Sequence, residues 1–211
     1  MRIKLCGILR DEDIDFVNET RPDYIGFIFT KGTQQLSTAL AQYLRFRLAE
    51  SIVPIGVFAN APIAMITELY HNRVISAAQL NGDEDDSYIT QLKRQSVAKI
   101  RQTRGQPINV IKTLFPDAAS KTSAWLKNIP ACADYFLVDS AGSGKIINLK
   151  QPISFKLSKP WFLSGDINIK NIKQVMEINP FAVNISCGME TDGKNDWKMI
   201  LKLITAVRTK N

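Results

Sequence analysis

Tyr24-Ile25-Gly26-Phe27-Ile28-Phe29 and Val53-Pro54-Ile55-Gly56-Val57-Phe58 are the runs on which the fold turns. Each is apolar at successive positions and rich in β-branched and aromatic side chains. A short run of that kind, apolar on both faces, reads as a strand buried on both sides, which is the signature of a parallel sheet. Between the two, Leu40, Leu44 and Leu48 recur at every fourth position, the stripe of an amphipathic helix. Strand, helix and strand in this order make a βαβ unit.

The same alternation extends in both directions. Ile3–Cys6, Ala77–Leu80, Ile108–Lys112, Tyr135–Asp139, Trp161–Ser164 and Phe181–Ser186 read as further strands. Helical patterns cover Asp11–Glu19, Lys170–Glu177 and Trp197–Val207, and Pro62 suits the first turn of a helix reaching Tyr70. Tyr88, Ile89, Leu92 and Val97 form one apolar face, Asp117–Lys127 another, and Asn148–Ser154 is the least periodic segment. Eight strands alternating with about eight helices predict an α/β protein, and the number favours a closed (β/α)8 TIM barrel over an open doubly wound sheet. No dinucleotide fingerprint follows the first strand, since Cys6-Gly7-Ile8-Leu9-Arg10 does not fit G-x-G-x-x-G. The expectation is one compact barrel domain over residues 1–211, short for an architecture that typically takes about 250 residues.

Composition excludes several classes of function. Hydrophobic residues make up 45% and charged residues 22%, as in ordinary globular chains. No apolar run approaches the roughly 18 residues of a membrane-spanning helix. The 27 Lys and Arg against 20 Asp and Glu leave a net charge of +7. These basic residues are scattered as singles and pairs such as Lys93-Arg94, without aromatic interleaving, so they read as a solvated surface congenial to an anionic substrate rather than a nucleic-acid footprint. Cys6, Cys132, Cys187 and the single His71 have no zinc spacing. The first ten residues carry no long apolar stretch or cleavage signature, and a cytoplasmic location is expected.

In such a barrel the active site lies at the C-terminal ends of the strands. Those ends read Cys6-Gly7, then Asp139-Ser140 with Ala141-Gly142-Ser143-Gly144-Lys145, then Ser164-Gly165-Asp166, and last Ser186-Cys187-Gly188. The small residues at Gly144, Gly165, Ser186, Cys187 and Gly188 would let backbone N–H groups approach a phosphate, although Ser-Gly pairs also simply turn a chain. Cys6 and Asp139 form a candidate base and acid. A thiol with its pKa brought down from about 8.5 can take a proton near neutrality, and a carboxyl group with a raised pKa can give one. Each has a structural alternative: a small buried residue for Cys6 and a cap for Asp139.

Longer motifs carry a resemblance. Lys4-Leu5-Cys6-Gly7-Ile8, Asp23-Tyr24-Ile25-Gly26-Phe27-Ile28-Phe29, Gly56-Val57-Phe58-Ala59-Asn60 and Gln79-Leu80-Asn81-Gly82-Asp83-Glu84 occur in that order. Leu137-Val138-Asp139 follows with Gly142-Ser143-Gly144-Lys145, then Leu163-Ser164-Gly165, Val183-Asn184-Ile185-Ser186-Cys187-Gly188-Met189-Glu190, and Gly193-Lys194 with Asp196. In motif, order and spacing the chain resembles the phosphoribosylanthranilate isomerase family of tryptophan biosynthesis, nearly end to end. The resemblance implies an aldose–ketose isomerase, in which Asp139 is the general acid and Cys6 the general base of an Amadori rearrangement. It implies no metal or organic cofactor. The expected partner is a small phosphorylated substrate, with no nucleic acid or membrane, and the expected state is a monomer or homodimer.

The chain departs from the family pattern in places. In Lys31-Gly32-Thr33-Gln34-Gln35-Leu36-Ser37 the family's arginine, which is expected to hold the substrate carboxylate, falls at Gln34. Asp166 stands for a glycine, Asn81 for a histidine and Asn184 for an aspartate, and the aromatic after the Gly-Ser-Gly-Lys loop is missing. The alternative is therefore a diverged barrel that binds or isomerises another phosphorylated sugar, or has lost catalysis.

Overall fold

The computed structural model describes residues 1–97, 106–116, 129–139, 157–185, 190–191 and 194–209. Its order is β1 (Arg2–Cys6), α1 (Asp11–Thr20), β2 (Tyr24–Ile28), α2 (Thr38–Arg47), β3 (Val53–Phe58), α3 (Ile63–His71), β4 (Ala77–Leu80), α4 (Asp86–Val97) and β5 (Asn109–Leu114). Then come β6 (Tyr135–Asp139), β7 (Trp161–Ser164), α5 (Ile172–Ile178), β8 (Ala182–Ile185), β9 (Glu190–Thr191), β10 (Lys194–Asn195) and α6 (Trp197–Arg208).

Strands β1 to β8 close into a barrel in sequence order. All eight ladders are parallel, and closure is made by β8 against β1, from Arg2 opposite Ala182 to Leu5 opposite Ile185. A ring of this size has just enough interior to be filled by side chains, and it leaves no strand edge open. The floor, toward the strand starts, is apolar: Ile55, Ala77, Ile111, Leu137, Phe162 and Ala182 pack with Tyr24, Tyr135 and Phe181. Phe162 centres this plug, with ring centroids 5.5 Å from Tyr24, 6.0 Å from Tyr135 and 5.6 Å from Phe181. Outside the ring, the opposite strand faces meet the helices through Ile25, Phe27, Ile14, Val17, Leu44, Ile66, Leu92, Leu203 and Ile204, all buried.

Local chemistry fixes the helix ends. Three acidic residues, Asp11, Glu12 and Asp13, occupy the first turn of α1, where the helix dipole favours them. The Asp13 carboxylate also accepts from the backbone N–H groups of Leu9 and Arg10 at 2.8 and 2.9 Å. Ser37 caps α2 by accepting from Leu40 N–H, and Asp196 caps α6 by accepting from Lys198 and Met199.

The sequence expectations differ from this structure at element ends. Pro62 is the N-cap of α3 rather than a first-turn residue. Helix α5 begins at Ile172, because Asn168 and Asn171 bond to one another's loop and delay the first turn. Strand β5 runs on to Leu114. The antiparallel pair β9–β10 was not anticipated, although Asp192-Gly193 between its strands is a strong hairpin dipeptide. The helical patterns over Asp117–Lys127 and Asn148–Ser154 lie outside the described residues. Among the described residues no helix is long and apolar enough to cross a membrane.

Helix α4 is tied to the loop before α3 by Tyr88, whose hydroxyl donates to Ala61 O at 2.6 Å. Burial, with Glu84 adding to it, pushes this phenol from 10.0 up to about 12. An acid raised on folding keeps its proton when the unfolded chain has lost its own. Its contribution is thus complete below pH 10 and is lost as pH rises toward about 12. In urea titrations, the stability advantage of wild type over Tyr88→Phe should be largest at neutral pH and should shrink across that alkaline window. A constant difference would mean the phenol is not perturbed.

Candidate active site

Strand alternation puts Lys4 and Cys6 on one face of β1. That face is the barrel interior, because Lys4 Nζ donates to Gln79 on β4, a strand that does not neighbour β1, at 2.7 Å. The same ammonium donates to Asn184 Oδ1 on β8 at 2.8 Å and to Cys6 Sγ at 3.7 Å. Lys4 is fully buried, while Cys6 is half-buried and so lies between the polar layer and the mouth.

Room for this pair comes from β2. Gly26 lies opposite Cys6 in the β1–β2 register. A Cβ on Gly26 would stand 2.5 Å from Cys6 Sγ and 3.2 Å from Lys4 Nζ, so any larger residue would displace the thiol. Gly7, at φ +89°, turns the chain out of β1 in the left-handed region that glycine tolerates.

The polar layer continues to both sides of Lys4. Gln79 Nε2 donates to Asn81 Oδ1 at 2.9 Å, which also accepts from Thr113 Oγ1 at 2.6 Å. On the other side Asn184 Nδ2 donates to Ser164 Oγ at 3.1 Å. One connected path therefore links β5, β4, β1, β8 and β7 across the barrel. Just beyond it, the buried Lys112–Glu84 ion pair, at 2.9 Å, joins β5 to the loop after β4. Lys112 also donates to Gly82 O, and Glu84 accepts from Asn60 N–H at 2.7 Å.

Asp139 ends β6 opposite Ser164, three strands round the ring from β1. Cys6 and Asp139 thus stand on opposite arcs of one mouth. Their electrostatic meeting point is Lys4. Burial pulls the Lys4 amine below its ordinary value of 10.5. Cys6, by its charge and its hydrogen bond, and Asp139, by its charge, pull it back up.

Of the residues assigned to phosphate, Gly165 is described. It is buried, at φ +140° directly after β7. Gly144, Ser186, Cys187 and Gly188 lie outside the described residues. Asp166 is exposed, and its Oδ1 accepts from Asn168 Nδ2 at 3.3 Å, so its carboxylate serves its own turn. The Gln34 amide lies over Gly7, where a Cβ would stand 3.1 Å from both its Nε2 and Oε1; the loop after β2 therefore folds back beside Cys6. Cys132 sits apart, accepting from Thr90 Oγ1 on α4.

The family model of N-(5'-phosphoribosyl)anthranilate (PRA) isomerase matches residues 3–206. The chain belongs to this family. The N-(5'-phosphoribosyl)anthranilate isomerase of Clostridium acetobutylicum is 36% identical, over 99% of this chain and 98% of that one. The phosphoribosyl anthranilate isomerase of Thermus thermophilus superposes with a TM-score of 0.80 at 23% identity, over 100% of both chains. Another, solved in complex with reduced 1-(o-carboxyphenylamino)-1-deoxyribulose 5-phosphate, gives a TM-score of 0.76 at 24% identity, over 99% of each. At these identities the two structures speak for the shared barrel.

Within this family frame, sequence reasoning singled out Cys6 and Asp139 and passed over Lys4, Gln79 and Thr113 as functional. The available signal was Lys4 itself, a lysine inside a strand whose neighbours are apolar. A charged side chain at such a position is rarely buried without partners. We expect Gly26→Ala to leave the barrel folded but to rotate Cys6 Sγ away, lowering isomerase turnover toward the roughly 10²–10⁴-fold loss typical of removing an acid or base. Steady-state kinetics beside a thermal melt checks this, and unchanged turnover would show that the thiol's position is not critical.

Proposed function

We propose that this protein is a phosphoribosylanthranilate isomerase of tryptophan biosynthesis. It converts N-(5'-phosphoribosyl)anthranilate to 1-(2-carboxyphenylamino)-1-deoxyribulose 5-phosphate. The observation that carries the reading is the placement of Cys6 and Asp139 at the ends of β1 and β6, on opposite arcs of one barrel mouth.

Asp139 gives its proton to the ribose ring oxygen as the C1′–O bond breaks. The anthranilate nitrogen lone pair then forms the C=N bond of a Schiff base. Cys6 takes the proton from C2′, and the released electron pair makes the C1′=C2′ bond of an enolamine while the nitrogen recovers its lone pair. Protonation at C1′ and loss of the C2′ hydroxyl proton yield the ketone. C1′ is reduced and C2′ oxidised within one molecule, so the step is an internal redox change with balanced protons.

The phosphate is assigned to the loops after β6, β7 and β8, through Gly144, Gly165, Ser186, Cys187 and Gly188. Backbone N–H groups beside small residues suit an anion there. Support comes from Gly165, which offers no side chain to hold an anion off, and from Asp166, whose charge is taken up in its own turn. Cys6 and Cys132 are free thiols, which suits a reducing cytoplasm. The chain would act there as one barrel domain over residues 1–211, as monomer or homodimer.

Replacing Cys6 by Ser, or Asp139 by Asn, should each lower turnover by roughly 10²–10⁴-fold with KM changed much less. The two effects should not simply add, since both groups serve one reaction. Loss of substrate fluorescence measures the rates, and rescue of a tryptophan auxotroph lacking this isomerase provides an independent check. Wild type inactive in both would overturn the proposed function.

Gln34 favours a second reading, an isomerase of another phosphorylated sugar, because an uncharged amide lies over Gly7, the residue after Cys6, where the family pattern has arginine. A guanidinium at that position could bind a carboxylate in two-pronged fashion. If the substrate is phosphoribosylanthranilate, Gln34→Arg should lower KM with little change in kcat. A raised KM would support the second reading.

A further inference from the structure

The strongest unexplained feature is the bonding of Lys4. A protonated lysine has three N–H donors and no acceptor. Lys4 has three acceptors around it, Gln79 Oε1, Asn184 Oδ1 and Cys6 Sγ, and is fully buried. The orientation of both amides fits a donating ammonium. Gln79 turns its NH₂ to Asn81 Oδ1 and Asn184 turns its NH₂ to Ser164 Oγ, so each presents its carbonyl oxygen to Lys4.

Two of these three acceptors are neutral. A buried cation is strongly unfavourable unless an opposite charge accompanies it. The third acceptor, Cys6, is among the described residues the one direct contact able to carry a negative charge. Asp139, across the mouth on β6, acts on Lys4 through its charge. The Lys112–Glu84 pair on β5 and the β4 loop is internally neutral. The direct counter-charge available to Lys4 is therefore the sulfur of Cys6.

We propose that Lys4 is a positioning residue that holds Cys6 as its thiolate, so that the base is already charged before substrate arrives. This rests on the reading of Cys6 as the base, but the state of the sulfur can be measured apart from isomerisation. Asn184 is part of the same arrangement. A carboxylate in its place would neutralise Lys4 directly and compete with the sulfur for it. The amide leaves the ammonium's charge to Cys6.

The test is the rate at which iodoacetamide alkylates Cys6 in the folded protein at neutral pH, because the thiolate and not the thiol reacts. Tryptic peptides ending at Arg10 contain Cys6 and neither Cys132 nor Cys187, so mass spectrometry reads the site alone. Lys4→Met should slow this alkylation by about tenfold or more. Asn184→Asp, which keeps the lysine, should slow it as well. Both variants should lower kcat while KM stays within a few-fold of wild type. If Lys4→Met fails to fold, Asn184→Asp carries the test. Cys6 alkylation as fast as in wild type, in whichever variant folds, would overturn the proposal. If alkylation slows as expected but wild type has no isomerase activity, the ammonium–thiolate pair stands and the assigned reaction falls. If wild type is an active isomerase and alkylation is unchanged, the reaction stands and Lys4 is merely structural.

Discussion

The amino group of Lys4 lies inside the barrel, fully buried, with an acceptor on each of three sides. Much of the polar interior is arranged around it. Two amides turn their oxygens toward it, Asn81 Oδ1 and Ser164 Oγ accept from their NH₂ groups, and the sulfur of Cys6 completes the set. Low dielectric makes such a network strong when satisfied and costly when broken. Small changes at Gln79 or Asn184 would therefore reach Cys6 without touching it.

The apolar floor makes that arrangement possible. Phe162, Tyr24, Tyr135 and Phe181 line the lower barrel with aromatic rings, so no polar partner for Lys4 comes from that layer. The upper wall is held by a different device. The Lys112–Glu84 pair also binds Gly82 O and Asn60 N–H, fastening the loops after β3 and β4 to β5. The polar side chains thus form a thin layer between an apolar plug and the strand ends.

Much of this was legible in the sequence. The eight short apolar runs all became barrel strands, because a strand buried on both faces must be apolar at successive positions. Helix starts were readable at Asp11, where acidic residues fill the first turn, and at Trp197, just after its cap Asp196. Other ends were not: the delay of α5 to Ile172 depends on the turn that Asn168 and Asn171 close through their side chains, and the extension of β5 depends on its partner β6. Cys6 and Asp139 could be picked out because strand-end position and motif converge on them. Lys4 could be seen only as an anomaly, since its role lies in contacts to residues 75 and 180 positions away. Gln34 was found by its motif, but its place over Gly7 is a matter of loop conformation that no periodicity encodes.

The ring closes between its first strand and its last, and Lys4 meets Asn184 across a separation of 180 residues. A nascent chain emerging from the ribosome must hold β1 with one edge unpaired until nearly everything else has been made. Loop closure over such a distance is a slow and late event in folding. The surroundings of Cys6, the buried lysine and the final ladder all complete together when β8 docks. Proteolysis or premature termination that removes the last strand would leave seven strands with an exposed edge prone to self-association, and would abolish catalysis in the same stroke.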